Sequence, residues 1–200
     1  MDCIRIGEIG MVNKLHALHL LQAVASNNCR VWNDWRIEHP TLLPQLSTFE
    51  LCHANLSFIN LSRSDLKMAD FSEADFYRAD LESSDLRMAI LENANLRKAN
   101  LQNSNLCRAN LKGADLREAD LRCADLRGAD LTGALLEKAY LTNAVYDPDA
   151  VREIINIRGG CVSRLEKIAL RIIRYGKPKR VPPASSRLSG RLHFYPDFDR

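Results

Sequence analysis

From Leu46 to Leu141 every fifth residue is Leu or Phe without interruption, and two positions before most of them stands Ala, as in Ala54-Asn55-Leu56, Ala79-Asp80-Leu81 and Ala129-Asp130-Leu131. An α-helix turns about 100° per residue, so a step of five scatters such a set around the helix and leaves no apolar face. A continuous strand alternates its side chains, so the same step throws successive Leu residues onto opposite faces of a sheet. Ala and Leu lie two apart, as same-face neighbours in an extended segment do, and the polar positions that follow must turn the chain. The pattern therefore predicts a solenoid: a short extended side and a corner, repeated, with Ala and Leu inward.

The unit Ala-(Asp/Asn)-Leu-x-x resembles the pentapeptide-repeat family, and the likeness covers about half of the chain. That resemblance implies an all-β solenoid, a right-handed quadrilateral β-helix with four pentapeptides per coil. At ~4.8 Å between stacked backbones, about five coils make a rod ~24 Å long. The residue before each central Leu tests the count in part. A 20-residue coil stacks acid directly on acid only as Glu50 on Asp70 and Asp65 on Asp85, whereas a 15-residue coil stacks four such pairs, which repel. Three repeats per coil are thereby disfavoured; five do as well as four, so the count rests on the resemblance. Ala at the inward small position reflects a narrow interior, where a larger side chain overpacks. Ser64, Ser84 and Ser104 replace it, and each buried hydroxyl needs a backbone carbonyl. Phe49 and Ile59 depart from the rule in the first coil.

The chain has 200 residues and a net charge of +3. Its charge is uneven: 15 acidic and 12 basic residues over positions 49–143, against six acidic and 12 basic from 147 onward. No apolar run reaches the ~18 residues of a membrane-spanning helix. Leu15 to Ala25 ends in the small-x-small pattern of a signal peptide, but His16, His19 and Gln22 argue against one, and a cytoplasmic location is expected. The six Cys, at 3, 29, 52, 107, 123 and 161, have no paired metal spacing and read as reduced thiols. Met11 is a second candidate start.

Four segments follow. Residues 1–44 form a helical cap, interrupted at Ser26-Asn27-Asn28, with Val31, Trp32 and Trp35 on one face of its second part and Pro40 and Pro44 ending it. Its element Trp32-Asn33-Asp34-Trp35-Arg36, followed by His39-Pro40, resembles the lead-in of cyanobacterial pentapeptide-repeat proteins. Residues 45–146 form the rod. Leu135 and Tyr140 take the outward position usually held by Asp or Asn, so something must cover the last coil. The candidate lies in 147–175: a helix over Pro148 to Ile157 with Ile154 and Ile155 on its apolar face, then, after Gly159-Gly160, a basic amphipathic helix. Residues 176–200 read as a basic, disordered tail.

No Gly-rich phosphate loop, metal-ligand cluster or nucleophile–base pair stands out, and an interior filled by Leu, Phe and Ala leaves no deep pocket. The expectation is a non-enzymatic scaffold without catalytic residue, cofactor or metal. In a 20-residue coil Tyr77, Arg78, Arg97, Lys98, Arg117 and Lys138 fall in one outer stripe, with Glu118 and Glu137 between, forming a candidate surface for an unidentified protein partner. Two alternatives stand beside it. One is a DNA-mimic inhibitor of gyrase, a type II topoisomerase, as in some members of the resembled family, though interleaved bases make a poor mimic. The other is a membrane-surface or nucleic-acid anchor built from the basic C-terminal helix. A homodimer through the C-terminal end is a further expectation.

Overall fold

The computed structural model describes residues 4–5 and 11–147. A two-residue strand, β1 (Ile4–Arg5), precedes two helices, α1 (Met11–Ala25) and α2 (Arg30–Glu38). β2 (Glu50–Leu51) lies in the first repeats and pairs antiparallel with β1. From there to Asp147 the chain repeats one local event.

That event is a corner. Each central Leu or Phe accepts, through its carbonyl, a hydrogen bond from the N–H three residues on, as in Ala89 N to Leu86 O at 3.0 Å. The third residue of the turn is left-handed in every repeat, from Thr48 (φ 63°) to Asn143 (φ 61°). This is the geometry that type II turns require, and it normally favours Gly or Asn. Here Met68, Glu73, Arg78 and Met88 adopt it too, at a cost of order 1 kcal/mol each that the stacked coil must offset. Gly113, Gly128 and Gly133 remove that cost in the later repeats. At Gly113 a Cβ would also run into the Asn93 side chain of the coil beneath.

The Asp or Asn before each Leu secures the corner. Its Oδ1 accepts the N–H two residues on, as in Tyr77 N to Asp75 Oδ1 at 3.0 Å and Thr132 N to Asp130 Oδ1 at 3.1 Å. This local bond is why short polar side chains occupy the position.

Coils then stack through backbone bonds, with outer side-chain ties such as Asn95 Nδ2 to Asp75 Oδ1 at 2.7 Å. Single parallel bridges join each such residue to the one twenty positions later, from Gln45–Asp65 to Asp125–Val145. Four pentapeptides therefore separate bridged residues. Leu56, Phe76, Leu96 and Leu116 stand above one another at 0% exposure, and the small positions Ala69, Ala89 and Ala109 are buried with them. Phe71 and Phe76 meet edge-on at 5.1 Å between ring centres. Ser84 and Ser104 donate to Leu81 O and Leu101 O, both at 2.7 Å, as a buried hydroxyl must. Ser64 departs from this: among the described residues its buried Oγ has no partner.

The helices lie against the first coil. Trp32 is fully buried and Trp35 nearly so, while Leu15 and Leu18 face solvent; α1 buries His16, Ala17, Leu20 and Ala23 instead. Of the C-terminal expectations, the helix over 148–157 with Ile154 and Ile155, the basic helix and the tail lie outside the described residues. Among the described residues no helix is long and apolar enough to cross a membrane, and no His, Cys, Asp and Glu cluster suited to a metal occurs.

Candidate interaction surface

The register that stacks the interior also orders the exterior. Arg78 N donates to Arg97 O at 3.0 Å, Lys98 N to Arg117 O at 3.1 Å and Glu118 N to Glu137 O at 3.0 Å. Corner residues 77–78, 97–98, 117–118 and 137–138 thus form one column, and Tyr77, Arg78, Arg97, Lys98, Arg117 and Lys138 share it.

Their charges are not equally available. Arg97 and Lys98 converge on Glu118, at 3.8 and 3.7 Å. Arg117 forks onto Asp115 of its own repeat, Nε to Oδ1 at 2.8 Å. Arg78 lies over the Tyr77 ring at 5.5 Å, and Tyr77 meets the exposed Phe58 edge-on at 5.7 Å. Among the described residues no carboxylate is recorded against Arg78 or Lys138, so these two carry the column's uncommitted charge. The column is an aromatic foot, Phe58 and Tyr77, below a partly neutralised basic ladder.

Other corners repeat the motif in stronger form. Arg87 and Arg127, which share one column, and Arg122, on the corner before Arg127, each chelate the Asp two residues earlier, as Arg127 does with Nε to Asp125 Oδ1 at 2.9 Å and Nη2 to Oδ2 at 2.6 Å. The Arg127 hydrogen bonds hold the Asp125 carboxyl down to about 2, and Arg122 likewise keeps Asp120 below its ordinary value. Met68 and Met88 stand in the same column as Arg87 and Arg127, both about half exposed. Charge counts do not reveal these forks, because Asp-x-Arg spacing pairs the two only when a corner bends the chain between them.

Nor does the sequence reveal how the edge of the first coil is closed. Trp32 Nε1 donates to Asn60 O at 2.6 Å, Asn33 Oδ1 accepts from Asn60 N at 2.8 Å, and Arg36 Nη2 donates to Ser62 O at 2.9 Å. Trp32 and Trp35 are expected as capping residues on apolar grounds; Trp32 and its neighbours also satisfy backbone groups of that edge. Leu135 and Tyr140 are 37% and 60% exposed; the element expected to cover them lies outside the described residues.

Comparison with known proteins bears on what this architecture is. The family model described as pentapeptide repeats matches in eight copies, over residues 54–93, 74–113, 89–122 and 119–145. Among solved structures, the pentapeptide-repeat protein alr5209 from Nostoc Pcc 7120 is 33% identical, covering 56% of this chain and 92% of its own, with a TM-score of 0.46. Rfr23, from the cyanobacterium Cyanothece 51142, is 42% identical over 43% of this chain, with a TM-score of 0.23. A pentapeptide-repeat protein of the Arabidopsis thaliana thylakoid lumen is 28% identical over 45% of this chain, with a TM-score of 0.39. The chain spans 59% of the Arabidopsis protein and 62% of the Cyanothece one. No curated protein matches it. With the uninterrupted five-residue register, the twenty-residue bridge spacing and this family match in agreement, the chain belongs to the pentapeptide-repeat family.

Proposed function

We propose that the chain is a non-enzymatic scaffold that binds a protein partner along the column Tyr77, Arg78, Arg97, Lys98, Arg117 and Lys138. The same reading takes the rod as right-handed and about five coils long, the helices as its end covers, and the cytoplasm as its location. It needs no cofactor.

The observation that carries the reading is the vertical alignment of corners 77–78, 97–98, 117–118 and 137–138 through backbone hydrogen bonds. A rigid rod of this kind presents side chains at a fixed pitch, with little ordering cost on binding. Its inward positions are filled, so recognition falls to the outer corners. Arg78 and Lys138 supply charge for an acidic partner surface, and Tyr77 with Phe58 supplies apolar area beside it.

The forks between Asp85, Asp115, Asp120 or Asp125 and the Arg two residues on weigh against imitation of DNA, since each neutralises a carboxylate that a phosphate mimic would need free. A combined Arg78→Glu, Lys98→Glu, Lys138→Glu variant tests the scaffold. Crosslinking in the source cell should recover a partner with the natural chain and lose it with the variant; equal recovery from both contradicts the role of this column.

A further inference from the structure

The first coil has four corners, and at three of them the residue before the central Leu or Phe has its N–H bonded or its backbone paired in a ladder. Gln45 N donates to His16 Nδ1 at 3.4 Å. Glu50 is paired with Arg5 in the β1–β2 ladder. Asn60 gives its N–H to Asn33 and its carbonyl to Trp32. The third corner, at Asn55, differs. Its carbonyl receives the Cys29 thiol at 3.6 Å, a weak donor, and among the described residues Asn55 N–H and Ser57 O have no recorded partner. One coil further on, the equivalent groups are both used: Asp75 N donates to Ala54 O at 2.9 Å and Tyr77 O accepts from Phe58 N at 2.9 Å.

A groove of about 630 Å³ runs beside this open edge. The α1–α2 connection and the start of α2 wall it with Asn27, Asn28, Arg30 and Asp34, and Asn55, Ser57 and Phe58 line the opposite side. Phe58 is 55% exposed and braced by Tyr77. Arg30 is paired in part with Asp34 at 3.6 Å, so the walls are amide-rich and nearly neutral.

We propose that this groove takes an extended peptide segment of a partner protein, which pairs its backbone with Asn55 and Ser57 and lays one apolar side chain on Phe58. The edge already accepts an added strand one corner away, where β1 pairs with β2, so the site continues an interface the chain itself uses. Strand addition draws affinity from main-chain bonds and selectivity from a side-chain contact, which matches an unused N–H and C=O beside one exposed ring. A second rod is a poorer occupant, because the wall from Asn27 to Asp34 stands beside the edge where its flat coil face would have to sit. The site adjoins the foot of the basic column and shares Phe58 with it; its main-chain bonds at Asn55 and Ser57 are read apart from partner binding on the column by an N-methylated peptide.

The test is an NMR titration of the isotope-labelled full chain with a short acetylated peptide amide of alternating Thr and Val. Shifts should concentrate at Asn55, Ser57, Phe58 and the groove walls, with slowed exchange of the Asn55 amide. Backbone N-methylation of the peptide, and separately Phe58→Ala, should each weaken binding about tenfold. Phe58 is an exposed corner residue, and the N-methylated peptide tests the same bonds on the unaltered protein. Absence of shifts at millimolar peptide overturns the proposal, as does binding indifferent to N-methylation. Protection of the Asn55 amide by self-association without peptide does so too, since the occupant would then be a second copy.

Discussion

The middle coils and the first coil solve the same problem by different means. In the middle, each backbone edge meets an identical edge twenty residues away, and the bonds Asp80 N–Ile59 O, Asn100 N–Ala79 O and Asp120 N–Ala99 O repeat at 2.8 to 2.9 Å. At the first coil no identical edge exists below, and side chains substitute: Trp32, Asn33 and Arg36 from α2, His16 from α1. A repeat propagates itself, whereas a boundary has to be built residue by residue. The effects of outer-surface substitutions should therefore be dispersed through the middle and concentrated at the boundary.

The largest effect separating the two regions is expected at Trp32. It fills space at 0% exposure and also satisfies Asn60 O, so Trp32→Ala should lower stability by roughly 3–5 kcal/mol and expose the first coil. Chemical denaturation with hydrogen exchange at Asn60 and Leu61 reads both; an unchanged midpoint would mean that α2 merely rests on the rod.

A smaller contrast lies among the interior serines. Ser84→Ala removes a hydroxyl bonded to Leu81 O and should cost about 1 kcal/mol. Ser64→Ala removes a buried hydroxyl without a partner, so the melting temperature should hold or rise. Equal losses in the two variants would show that Ser64 is bonded in solution.

The smallest effect is one of pH. Burial, with the nearby charges of Arg36, His19 and His39, lowers the His16 value below 6.5, so the folded chain prefers neutral imidazole. The unfolded chain then takes up the proton first as pH falls. Stability from this group is complete above 6.5 and is lost as pH drops through the depressed folded value. Melting temperature followed across that window should fall in the natural chain and flatten in His16→Asn; parallel curves contradict the assignment.

How much of this is legible in the sequence follows the same division. The inward Leu and Ala positions can be read because one steric demand recurs at every fifth residue. The coil length cannot, since the column of Asp and Asn tolerates four or five repeats per turn equally; the bridges, twenty residues apart, supply it. The left-handed corners are hidden by most of their occupants, since Met68, Glu73 and Arg78 carry no turn signature and only Gly113, Gly128 and Gly133, with Asn93, Asn103 and Asn143, hint at one. Trp32 can be recognised as buried, but its bond to Asn60 depends on which coil edge faces α2, a long-range fact no local pattern encodes. The open corner at Asn55 is a missing contact, and residues do not advertise those.

The claim beneath all of this is that every fifth side chain, with the small residue two before it, is sealed inside the coil while the corner residues between are not. Leu96 is 0% exposed, and Lys98, two residues on, is a corner residue on the outer column. The direct measurement is a thermal melt of Leu96→Asp beside Lys98→Asp, followed by far-ultraviolet circular dichroism. A carboxylate forced into the interior should abolish cooperative folding, while the outer one should shift the midpoint by only a few degrees. Two melts alike, or a Leu96→Asp chain as stable as the natural one, would contradict the account.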